Sequence, residues 1–125
     1  MLSLPLPVRI FLCTRHADMR KGFDGLAQMV REFLGEDPLS GHLFVFRNRR
    51  GDRLKLLYWD SDGLAIWYKR LEQGSYRFPT VVGEGQGLEI RAADLTMILD
   101  GVDLDSVKRQ KRYRRPQPVN SAPAS

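Results

Sequence analysis

Apolar and polar positions alternate most clearly between His42 and Arg70. Three apolar runs, at residues 43–46, 54–59 and 64–68, are separated by polar stretches at 47–52 and 60–63. Strand-prone runs punctuated by Gly and Asp predict an antiparallel meander. Gly51 and Gly63 are expected to supply the positive φ that its turns need. In the first run Phe44 and Phe46 oppose Leu43 and Val45. In the second, Leu54, Leu56 and Tyr58 oppose Arg53, Lys55, Leu57 and Trp59. In the third, Ala65, Trp67 and Lys69 oppose Leu64, Ile66, Tyr68 and Arg70. The pattern predicts a sheet with one face packed on helices and the other half wet.

The flanks add four elements. Residues 8–13 read as a strand. Asp18 is a candidate N-cap for a helix over 19–34, whose stripe is Met19, Phe23, Leu26, Val30, Phe33 and Leu34, with Gly35 at its stop. Gly22 and Gly25 fall inside that helix, which implies a close contact there, with a crossing strand or with a partner's backbone. Residues 76–78 could form a short strand before Pro79. A second helix is expected over 91–100, with Leu95, Ile98, Leu99 and Val102 as its stripe and Gly101 at its end. From Ser106 the chain is basic, then rich in Pro, Ser and Ala without an apolar period, a composition that predicts disorder in the free protein. The expected architecture is α+β: a single domain over 1–103, order β-α-β-β-β-(β)-α, with two helices on one face of an antiparallel sheet, and a basic tail over 104–125.

Charge sharpens this picture. The chain has 125 residues, 42% apolar and 28% charged, values of one ordinary globular domain. No run is long enough to span a membrane, and no secretory leader pattern is present, so a cytoplasmic location is expected. The net charge of +5 is uneven. Residues 1–103 carry fourteen Lys and Arg against fourteen Asp and Glu. The tail carries Lys108, Arg109, Lys111, Arg112, Arg114 and Arg115 against Asp105 alone. A second basic patch lies on the first turn of the meander, where Arg47, Arg49, Arg50, Arg53 and Lys55 surround Asp52.

Candidate chemistry is sparse. His16 and His42 stand in no metal-ligand spacing, and the lone Cys13 reads as packing. Asp60 and Asp62 belong to a turn sequence and lack the further oxygens of a calcium loop. Ser40 and Ser61 have no adjacent base. No catalytic residue, metal or cofactor is expected. A two-stranded ribbon with arginines at its tip can reach DNA phosphates or bases, and a basic tail would add salt-sensitive affinity.

The ordered segments Asp18-Met19-Arg20-Lys21-Gly22-Phe23-Asp24-Gly25-Leu26, Asp37-Pro38-Leu39-Ser40-Gly41-His42-Leu43-Phe44-Val45-Phe46, Arg49-Arg50-Gly51-Asp52 and Trp59-Asp60 resemble a known family. So do Gly63-Leu64, Lys69-Arg70-Leu71-Glu72 and the Leu95, Leu99, Gly101-Val102-Asp103 end. The family is the small accessory proteins, encoded by the second open reading frame, of insertion sequence sixty-six transposable elements. The resemblance runs from about Leu4 to Asp103. It implies a role in transposition beside a larger transposase that performs the cutting and joining, and it implies no catalytic residue in this chain. Two readings stay open. In one, Arg47, Arg49, Arg50, Arg53 and Lys55, with Lys69 and Arg70 behind them, contact the DNA of the element ends. In the other, the chain is an adaptor that docks on the transposase or another accessory protein through Trp59, Trp67 and Tyr68.

Overall fold

The computed structural model describes residues 8–79 and 85–105 and the backbone of 108 and 109. The strands are β1 (Ile10–Cys13), β2 (Leu43–Arg47), β3 (Arg53–Asp60), β4 (Gly63–Arg70), β5 (Gly87–Ile90), β6 (Val102–Asp103) and β7 (Lys108–Arg109). The helices are α1 (Phe23–Met29), prolonged by a π-helical segment (Val30–Leu34), and α2 (Ala92–Leu99). Five strands form one sheet in the order β4-β3-β2-β1-β5, and β6 and β7 form a separate short ladder.

The meander is present: β2 pairs antiparallel with β3, and β3 with β4, in the register Phe44↔Leu57 and Leu56↔Trp67. The sheet as a whole is mixed, because β1 runs parallel to β2. α1 carries the chain from β1 back to the same end of the sheet, which is what a parallel neighbour requires. β1 is antiparallel to β5 on its other side. Residues 76–78 do not form the extra strand. They run irregularly and bury Tyr76 and Phe78, while the fifth strand is supplied by 87–90.

The α+β class holds, but the helices lie on opposite faces rather than on one. Ile10, Leu12, Leu43, Val45, Leu54 and Leu56 pack with Leu95 and Ile98 of α2 and with Tyr76 and Phe78. Phe11, Cys13, Phe44, Phe46 and Leu57 pack with Leu26, Ala27, Met29 and Val30 of the first helix. The cause is visible in the strands. β1 and residues 43–46 of β2 are apolar at every consecutive position and buried throughout, and a strand apolar on both faces needs cover on both. Phe11 and Phe44 stack at the centre of the α1 face with ring centroids 5.7 Å apart.

Local details also differ from expectation. The first helix begins at Phe23, with Gly22 at its N-cap, and not after Asp18. Asp18 instead closes a tight turn: its carbonyl accepts from Lys21 N and its Oδ1 from Arg20 N. Gly25 meets the Lys21 side chain rather than a strand, with a Cβ there only 3.1 Å from Lys21 Cβ. Gly35 ends the helical segment at φ +63°. In the β2–β3 turn Gly51 does adopt a positive φ, +77°, but in the β3–β4 turn Ser61 takes that conformation instead of Gly63. α2 starts where Arg91 N donates to Asp94 Oδ2, and Gly101 stops it at φ +87°. Two residues of the expected tail, Lys108 and Arg109, pair with Asp103 and Val102. The rest of that tail, with the glycine-rich segment at 80–84, lies outside the described residues.

Candidate nucleic-acid interface

The β2–β3 turn is held from three sides. Within it, Gly51 N donates to Asn48 O, and the Asn48 side chain donates to Asp52 Oδ1 while accepting from Arg53 N. On the α2 side the segment after β4 latches onto it: Leu71 N donates to Asp52 O and Tyr76 N to Gly51 O, each at 2.7 Å. On the α1 side the 14–21 connection is tied to β2 and β3. Ala17 N donates to Arg47 O at 2.9 Å. Lys55 Nζ donates to Met19 O and Lys21 O, both at 2.8 Å.

Between the 14–21 connection and the turn lies a cleft of about 600 Å³, lined by residues 16–20, 48–50, 52 and 53. Its guanidinium groups belong to Arg20, Arg49, Arg50 and Arg53 and its carboxylates to Asp18 and Asp52. Arg20 and Asp18 form a fork, with Arg20 Nη2 2.6 Å from Asp18 Oδ2. Hydrogen bonds from Arg20 hold the Asp18 carboxyl down to about 2. Asp52 is also held below the ordinary carboxylate range, first by its hydrogen bond from Asn48. Arg53 Nη1 donates to Tyr68 Oη at 3.0 Å and borders a second hollow with Tyr68, Arg70 and Glu72. Arg49 and Arg50 are exposed and make no hydrogen bond or ion pair among the described residues. Partial desolvation, followed by the charges of Arg47 and Arg49, pushes the His16 imidazole below its ordinary value.

The cations expected at one tip are therefore dispersed. Arg47 turns to the α2 side, where Nη1 donates to Tyr76 O at 3.0 Å and the guanidinium lies 4.2 Å from the Phe78 ring centroid. Its Nε is buried without a hydrogen-bond partner among the described residues. Lys55 is 8% exposed and points inward, with Nζ 4.6 Å from the Tyr68 ring centroid. Lys69, opposite Leu54, shares the α2 face and is exposed. Arg70 pairs with Glu72 at 3.1 Å. The aromatic set is likewise divided. Trp67, opposite Leu56, packs against the α2-side core. Trp59 and Tyr68 face the α1 side from opposite ends of the β3–β4 pair, and Tyr68 is the exposed one, at 46%.

A family model described as "IS66 Orf2 like protein" matches residues 8–109, which includes the whole five-stranded sheet, both helices and the cleft. The chain belongs to this family of insertion-sequence accessory proteins. Two similar proteins come from Sinorhizobium fredii (strain NBRC 101917 / NGR234). "Uncharacterized protein y4hO" is 43% identical over 96 residues, covering 77% of this chain and 82% of that protein. "Uncharacterized protein y4jC" is 38% identical over 112 residues, covering 90% and 93%. No solved structure matches the chain.

In this IS66 Orf2 family member the residues that sequence reasoning missed are His16 and Arg20. Both were placed beside or on a helix, and their approach to the β2–β3 turn is a tertiary fact. The available signal was Gly22, a residue better suited to an N-cap than to a helix interior. Among the described residues no three His, Cys, Asp or Glu side chains gather closely enough to hold a metal ion, and no helix is long and apolar enough to cross a membrane. Burial pushes the Cys13 thiol up, and it donates to Arg15 O, so it is a packed group rather than a nucleophile.

Proposed function

We propose that this insertion-sequence accessory protein supports transposition by contacting DNA at the element ends, without catalysing strand cleavage itself. The observation that carries the reading is the pair Arg49 and Arg50, exposed and unpaired among the described residues on a turn that is latched from both sides. Guanidinium groups free of carboxylates are available to phosphates, and a fixed turn loses little freedom on binding. Arg53, Arg20 and Arg70 extend the positive surface on the α1 side. Arg47 and Lys55 support the turn rather than touch the ligand. The basic tail adds sequence-independent attraction.

Fluorescence anisotropy of a terminal-repeat duplex, read across a salt series, tests this. With Arg49 and Arg50 both replaced by Ala, affinity falls and the slope of log K against log salt flattens by about 1.8, at about 0.9 per lost phosphate contact. An unchanged slope and affinity would refute it. The adaptor reading has one observation of its own: Tyr68 is exposed on β4, a strand at the edge of the sheet. A transposase complex that survives nuclease treatment and is lost with Tyr68→Ala would favour it.

A further inference from the structure

We infer that the cleft between the 14–21 connection and the β2–β3 turn seats one phosphodiester group of a nucleic-acid strand, with Arg49, Arg50 and His16 as its donors. This rests on the DNA-contact reading and goes beyond it by naming a bounded site and its ligand group. The cleft volume of about 600 Å³ lies in the range of sites that enclose small ligands, enough for a phosphate with part of its two sugars. Its lining is chiefly charged and polar, and the imidazole of His16 is its one ring, so it offers little platform for stacking a base.

The other charged side chains of the lining are already engaged. Arg20 is held by Asp18, Asp52 by Asn48, and Arg53 by the Tyr68 hydroxyl. Arg49, Arg50 and His16 are left without a hydrogen-bond partner among the described residues. Both walls are fixed, one by Lys55 and by the Ala17–Arg47 bond, the other by Leu71 and Tyr76. The site is thus formed before the ligand arrives.

His16 gives the site a signature. The groups around it are Arg47 of β2, Arg49, Arg50 and Asp52 of the turn, Arg53 of β3, and Asp18 and Arg20 of its own connection. In the empty cleft partial desolvation and the Arg47 and Arg49 charges keep the imidazole neutral at pH 7. An anion beside it favours the charged ring and raises its pKa. Binding therefore takes up a proton, and affinity rises as pH falls from about 8 towards 6. A phosphodiester keeps its single charge across that range, so the pH effect belongs to the protein.

The test is an NMR titration of the full chain with dithymidine monophosphate, which carries one phosphodiester, and in parallel with inorganic phosphate. The expected result is saturable movement of amides 16–20 and 48–53 and a rise of up to about one unit in the His16 pKa, equivalent to up to about tenfold tighter binding at low pH. His16→Gln should abolish that pH dependence and leave thermal stability at pH 8 unchanged. Failure of dithymidine monophosphate to move the cleft, with duplex binding still sensitive to Arg49 and Arg50, would overturn the inference and leave DNA contact standing. Loss of both would overturn both. Movement by inorganic phosphate alone would overturn the assignment to a strand.

Discussion

Lys55→Met separates a strut from a DNA contact. Methionine keeps the length and apolar stem of the side chain but removes the ammonium that bonds Met19 O and Lys21 O at 2.8 Å each. At about 1.5–3 kcal/mol apiece, two charge-assisted bonds amount to about 3–6 kcal/mol before compensation. Compensation is substantial. The ammonium is 8% exposed and its hydration is regained in the unfolded chain, while water can reach the carbonyl of exposed Lys21. A net loss of about 2 kcal/mol remains, which for a domain of about 100 residues lowers Tm by about 8–16 °C. Differential scanning calorimetry measures the shift. Hydrogen exchange should show faster exchange at the Ala17 and Lys21 amides, whose acceptors anchor the same connection. A Tm within about 2 °C of the parent, together with a DNA-affinity loss as large as that of the Arg49/Arg50 double variant, would refute the reasoning and make Lys55 a contact.

Three further perturbations follow from the same geometry. Gly51→Ala places a Cβ 3.3 Å from Ser75 Cβ at a φ of +77°, so it should cost about 1–3 kcal/mol in urea unfolding and loosen the turn. Phe44→Ala empties a fully buried position stacked on Phe11 and should cost about 3–5 kcal/mol, enough to unfold much of the population at 37 °C by circular dichroism. The Asp18 carboxyl should titrate at about 2 by NMR and return towards 3.8 in Arg20→Ala. Because its folded value is depressed, its stabilising contribution is complete above about pH 4 and is lost as pH falls through about 2.

The meander was legible because its alternation and its Gly–Asp punctuation are local. Leu54, Leu56 and Leu57 are buried as their positions demand, and the first turn falls where Arg47–Asp52 predicted it. The opposite placement of the helices was also written in the sequence, in the unbroken apolar runs of β1 and β2, but alternation alone does not weigh two-sided burial. The start of the first helix was missed because Met19 extends the apolar stripe outward. Met19 is half-buried beside the α1-side core from a turn, not from a helix. The cationic tip was visible as composition, whereas its division was not. Whether Lys55 faces solvent or two backbone carbonyls depends on where the 14–21 connection folds back, a partner 34–36 residues away in the chain.

The seat of β1 between β2 and β5 has a consequence for synthesis. β1 is among the first segments to leave the ribosome, yet one of its two ladders is closed by Gly87–Ile90. At about 5–20 residues per second, the wait between them is about 4–16 s. Throughout that interval the nascent chain holds an apolar strand with one bare edge, a substrate for trigger-factor-type holdases. A ribosome stalled before Ile90 should therefore carry a chain that proteases cut within Ile10–Cys13, and one released beyond it should not.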